Sequence, residues 1–112
     1  MSHSIDDDFE LKAFEPIFHL VEQAMDVALG LNIELLSSRT KSIDIAFPRI
    51  IFSYLCNQRG IHPMFIGRKI KRDRSSIIAN FKSYERYYGY DKTFTLLANS
   101  VIKRLKEIEN EE

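Results

Sequence analysis

Residues Gly67–Asn80 read GRKIKRDRSSIIAN, and five of the first eight, Arg68, Lys69, Lys71, Arg72 and Arg74, are cationic. Asp73 stands in the N-cap position of the amphipathic helix that Arg74, Ser75 and Ser76 open. Along that helix Ile77, Phe81, Tyr84 and Tyr88 fall at i, i+4, i+7 and i+11, one apolar stripe. The opposite face carries Ser75, Ala79, Lys82, Ser83 and Arg86. Small side chains flanked by cations permit close approach to a groove floor, with positive charge directed at phosphates. Cations at a helix N-terminus also add to the helix dipole and the free N–H groups there, which favours a polyanion. A short helix, Pro63–Ile70, precedes the turn. The order helix, turn, basic helix predicts a helix-turn-helix that presents its second helix to double-stranded DNA.

Outward from this stretch, prolines and glycines divide the chain. Pro16, Pro48 and Pro63 stand where helices begin, since a first-turn residue needs no N–H. Gly30, Gly60 and Gly89 each follow a periodic apolar segment and read as helix stops. The spacing predicts helices over Pro16–Leu29, Ile33–Ser37 (Asn32 as N-cap), Pro48–Arg59, Pro63–Ile70, Asp73–Tyr88 and Asp91–Glu109. Ser38–Ile45 has no helical period and reads as a loop carrying Arg39 and Lys41. No useful β-alternation occurs. The expected fold is a compact all-α bundle of about five to six helices. It forms one domain over 1–112, with the helix-turn-helix region at about 17–88, an acidic lead-in at 1–15 and a C-terminal amphipathic helix at about 91–109.

A net charge of zero conceals segregation. Residues 1–36 hold one Lys against eight Asp and Glu, residues 37–92 hold twelve Lys and Arg against four acids, and residues 93–112 hold three against four. A basic middle in a neutral chain points to a directed polyanion-binding face. The lead-in, with Asp6, Asp7, Asp8, Glu10 and Glu15 among Phe9, Leu11 and Phe14, is a candidate dock for a protein partner. The last helix aligns Phe94, Leu97, Ala98, Val101, Ile102, Leu105 and Ile108. That stripe suits the core first and a homodimer seam second.

Catalytic chemistry finds no foothold. His3, His19, His62 and Cys56 are scattered without ligand spacing, so neither a metal nor another cofactor is expected. The Ser75–Ser76 pair has no activating base, and no GxxxxGK[ST] loop is present to cradle ATP. The chain reads as a non-enzyme. One cysteine, no bilayer-length apolar run and an acidic start unlike a leader suggest a cytoplasmic protein with no membrane role, associated with the nucleoid if it binds DNA.

The strings LLSSR (Leu35–Arg39), FPRIIFSYL (Phe47–Leu55) and IGRKIKRDRSSII (Ile66–Ile78) resemble, in order, motifs of one family. It is the C-terminal DNA-binding domain of the bacterial replication initiator DnaA, whose turn reads approximately I-G-x-x-F-G-G-R-D-H-T-T-V. The resemblance implies that Arg72, Asp73, Arg74 and Ser75 match the family's Arg-Asp-His-Thr, the last three at base edges, with Ser76 as the second Thr. It implies that Arg39 or Lys41 enters the adjacent minor groove. It makes Arg49 the Arg after the helix-opening proline, and Ile66 and Gly67 a packing pair. Lys71 stands where the family has Gly-Gly, with one residue fewer. The function implied is sequence-specific duplex binding that regulates replication or transcription, without ATPase activity. The alternatives are a protein-interaction module that keeps the fold but has lost specific DNA binding, and an RNA binder that uses the same surface.

Overall fold

The computed structural model describes residues 11–40 and 42–111, except the side chain of Ile43. Among these residues the labelled elements are six α-helices: α1 (Glu15–Leu29), α2 (Ile33–Leu36), α3 (Ile43–Gln58), α4 (Pro63–Ile70), α5 (Arg74–Tyr87) and α6 (Lys92–Glu111). No strand occurs among the described residues, and none of their helices is long and apolar enough to cross a membrane. The all-α bundle is as expected. Most of the acidic lead-in, residues 1–10, lies outside the described residues, as does Lys41.

The middle of the bundle is α3. Phe47 through Ser53 are buried at every position, so this helix has no solvent-facing side in its centre. Its start differs from the sequence reading: it begins at Ile43, five residues before Pro48. Ser42 caps it, its Oγ accepting from the Asp44 N–H at 3.3 Å. Pro48 therefore lies inside the helix, where its missing N–H leaves the Asp44 carbonyl without an intrahelical donor. Asp44 is exposed, so that group stays within reach of solvent.

Around α3, α1 and α6 pack on each other along their apolar stripes, with Phe18, Val21, Ala24 and Met25 meeting the side that holds Phe94, Ala98, Val101, Leu105 and Ile108. Five residues of the stripe considered as a dimer seam are thus buried within one chain, and Leu97 and Ile102 are partly buried against the same core. At the far end of these helices, Arg59 closes a two-point ion pair on Glu109 at 3.1 and 3.0 Å.

An aromatic seam fixes α5 and α6 against α3. Tyr54 and Tyr84 stack with centroids 3.8 Å apart, Phe94 meets Tyr84 edge-on at 5.3 Å, and Phe47 meets Phe94 edge-on at 5.1 Å. This seam supplies a pH test. Burial, then the neighbouring Tyr88 and Tyr54, push the Tyr84 hydroxyl up from 10.0 to about 12. The unfolded chain releases the same proton near 10, so the stability contributed by the neutral phenol is complete below pH 10 and is lost as pH rises through 12. Tyr84→Phe keeps the ring and removes the proton. Chemical denaturation from pH 9 to pH 12 is expected to show a smaller alkaline loss of stability in Tyr84→Phe than in the parent; parallel profiles would contradict this.

Candidate nucleic-acid interface

Two helices of unequal length meet across a three-residue turn, Lys71–Asp73. His62 caps α4, its Nδ1 accepting from the Met64 N–H at 3.1 Å, and Pro63 supplies a preset first turn. Phe65, Ile66 and Ile70 pin α4 to the core. Gly67 allows the close crossing: a Cβ there would come within 3.0 Å of the Arg72 carbonyl oxygen, which is backbone and has little room to yield. The chain turns at Lys71, whose φ of 58° and ψ of 50° are left-handed. Arg72 N–H then donates back to the Gly67 carbonyl at 2.8 Å. The turn is closed by a hydrogen bond that any residue can make, so a strained lysine can occupy a position that favours glycine.

Asp73 occupies the N-cap position of α5, but its side chain makes no capping hydrogen bond. The sequence reading of Asp73 as N-cap holds for position and fails for the bond. Ile77 and Tyr84 turn inward and Phe81 is half-buried, while Arg74, Ser75, Ser76, Ala79, Lys82 and Arg86 are exposed. Of the outward row read from spacing, Ser75, Ala79, Lys82 and Arg86 are exposed and Ser83 is half-buried, while Tyr88, at the end of the apolar stripe, is exposed. One rung below that row, Asn80 Nδ2 donates to Ser53 Oγ at 3.1 Å, a polar link that ties α5 to α3, and that hydroxyl in turn donates to the Arg49 carbonyl of its own helix at 2.8 Å.

The loop after α2 is built by arginines. Arg49, 8 % exposed, donates from Nε to the Leu36 carbonyl at 2.7 Å, from Nη1 to the Thr40 carbonyl at 2.8 Å and from Nη2 to the Ser38 carbonyl. Arg72 reaches the same Ser38 carbonyl from the turn, and it also donates to the carbonyls of Ile70 and Lys71 at 3.3 and 3.1 Å. Arg39 follows Ser38 directly and is exposed, so the shared carbonyl brings the basic loop alongside the start of α5. Burial and the charge of Arg72 hold the Arg49 pKa below the usual arginine range, and among the described residues neither side chain has a carboxylate partner.

The cations of the basic stretch thus divide. Arg39, Lys71, Arg74, Lys82 and Arg86 face solvent; Arg68 is half-buried with its guanidinium over the Phe65 ring at 5.8 Å. Lys69, offered by the sequence as a DNA contact, lies beside α1: its Nζ is 3.2 Å from Glu15 and 3.5 Å from Glu22. Arg49 and Arg72, offered likewise, direct most of their donors at the protein's own carbonyls. The acids involved are about 50 residues away along the chain, which no local pattern reveals. The roles of Ser38 as shared acceptor, and of Ser53 and Asn80 as a polar bridge, were likewise missed, since serines and asparagines carry no periodic signal. Cys56 is fully buried, and burial followed by Glu22 pushes its thiol well above the ordinary range, so it is poorly nucleophilic.

Comparison with protein-family models, with curated proteins and with solved structures finds no match.

Paired substitutions test the turn geometry. Gly67→Ala is expected to lower stability by about 1–3 kcal/mol through overpacking against the Arg72 carbonyl. Lys71→Gly is expected to raise it by about 0.5–1 kcal/mol by relieving the left-handed backbone. Urea denaturation of both variants measures these shifts, and a stabilised Gly67→Ala or a destabilised Lys71→Gly would refute the described turn.

Proposed function

We propose that the chain binds double-stranded DNA through a helix-turn-helix formed by α4 and α5. In this reading the first turns of α5 enter the major groove, and the loop carrying Arg39 and Lys41 lies toward the neighbouring minor groove. The observation that carries it is the solvent-facing row Arg74, Ser75, Ala79, Lys82 and Arg86, beside which Ser38 and Arg72 hold the basic loop. Small residues between cations suit a groove floor flanked by phosphates. Arg74 and Ser75 are the proposed base readers, with Asp73 and Ser76 beside them, as in the DnaA C-terminal domain that the sequence resembles. Lys71, Lys82 and Arg86 are the proposed phosphate contacts, with Arg68 at the margin. The role is regulatory, in replication or transcription at the nucleoid, and involves no ATP hydrolysis.

A second reading, a protein-interaction module on the same fold, draws on a different surface. Tyr90 and Leu96 are 86 % and 70 % exposed and flank an apolar hollow of about 290 Å³ at the α5–α6 junction. Affinity for duplex separates the readings, because a protein dock requires none.

About five exposed cations, from Arg39, Lys71, Arg74, Lys82 and Arg86, predict that log K falls with log salt at a slope of about −4 to −5. A flat response in a fluorescence titration would eliminate phosphate-driven binding. Duplex RNA as competitor should displace far less well than duplex DNA.

The roles within α5 separate by substitution. Arg74→Ala is expected to weaken a selected site by about 1–3 kcal/mol while barely changing random duplex. Lys82→Ala is expected to weaken both alike and reduce the salt slope by about one unit. Equal losses on selected and random duplex for both variants would remove base reading by this helix.

A further inference from the structure

Between α3 and the start of α5 lies a cavity of about 180 Å³, lined by Ala46, Arg49, Ile50, Arg72, Ser76 and Asn80. Two arginines line it, one of them almost wholly buried, and neither has a carboxylate partner among the described residues. Like charges brought together in a poorly solvated place repel each other, and Arg72 indeed lowers the pKa of Arg49. The Ser38 carbonyl they share supplies a dipole and no neutralising charge.

Donor capacity remains. A guanidinium carries five N–H donors. Arg49 commits four, three to the carbonyls of Leu36, Thr40 and Ser38 and one to the Ser38 hydroxyl at 3.4 Å, and Arg72 commits three to Ile70, Lys71 and Ser38, so Arg49 keeps one and Arg72 up to two. Ser76 adds a hydroxyl at the same wall. Because the Asp73 side chain makes no capping bond, the first-turn N–H groups of the 14-residue helix α5 are also uncapped beside it. Two unneutralised cations, spare donors on both, a hydroxyl and an open helix terminus call for a compact oxyanion.

We propose that this cavity is a phosphate site, and that it receives one backbone phosphate of a bound duplex. The source of the phosphate rests on the duplex-binding reading; the oxyanion chemistry does not. A phosphate seated here neutralises Arg49 and Arg72 together and so tightens the anchor of the basic loop as DNA binds. Arg72 acts in this account both on the loop and on the ligand.

The test has two arms. In the first, thermal melting of the full chain is compared in chloride, phosphate and sulfate at equal ionic strength. Phosphate and sulfate are expected to raise Tm by several degrees over chloride. Ser76→Glu, a substitution at an exposed position that places a carboxylate at the wall, is expected to abolish the rise; Arg72→Gln should do the same. In the second arm, a duplex carrying single methylphosphonate groups is scanned. One position is expected to cost about tenfold in affinity for the parent and nothing further for Ser76→Glu. No oxyanion-specific rise, or a rise that survives Ser76→Glu, overturns the site even if the duplex still binds with its steep salt slope. A rise lost in Ser76→Glu with no sensitive methylphosphonate position upholds an oxyanion site and overturns its use by duplex. A rise with no duplex affinity at all refutes the DNA-binding reading and leaves a site for free phosphate.

Discussion

The buried guanidinium of Arg49 is the constraint on which the candidate interface depends. Its three hydrogen bonds to the carbonyls of Leu36, Ser38 and Thr40 give a segment without regular structure a fixed course. Buried carbonyls without donors are costly, and a loop has no ladder of its own to supply them. A lysine would not replace this residue, since one ammonium lacks the planar fork that reaches three acceptors at once. Arg72 extends the arrangement by bonding the same Ser38 carbonyl from the turn, so the loop and the head of α5 are parts of one surface.

This arrangement reshapes the charge pattern. A run of cations in the sequence suggests a uniformly basic face, but its members have separate duties. Lys69 sits between Glu15 and Glu22 on α1, and Arg49 and Arg72 work inward. The residues left outside are spaced along one face of α5 and the neighbouring loop and turn. Fewer cations at defined positions favour an oriented encounter with a duplex over general adhesion to polyanions. The turn shows the same economy: Gly67 makes room for the Arg72 carbonyl, and Lys71 accepts a left-handed backbone in exchange for a cation at the edge of the surface.

Much of the bundle was legible in the sequence because most helices have one wet face. The stripes of α1, α5 and α6 were placed by spacing, and α4 by Pro63 and the turn after Ile70. The start of α3 was not legible, since a helix buried all round shows no amphipathic period and Pro48 imitates a helix start. Ser42, a serine among serines and threonines, gave no distinct capping signal. At the site, the exposed row of α5 followed from the position of Ile77 and Tyr84 on the other side. Long-range contacts were hidden: the engagement of Lys69 by Glu15, of Ser38 by both Arg49 and Arg72, and of Asn80 by Ser53 joins residues from different helices and loops. The missing bond at Asp73 was hidden too, because sequence fixes the residue at a cap and not its rotamer.

The central claim is that the basic loop, the turn and the first turns of α5 form a single duplex-binding surface. The most direct measurement is an amide chemical-shift titration of the labelled chain with a duplex of about two helical turns. The account predicts salt-sensitive shifts confined to residues 37–42, 71–73 and the first turns of α5, moving together at one apparent Kd. Shifts centred on Tyr90 and Leu96, or loop and helix titrating at different Kd values, would contradict it.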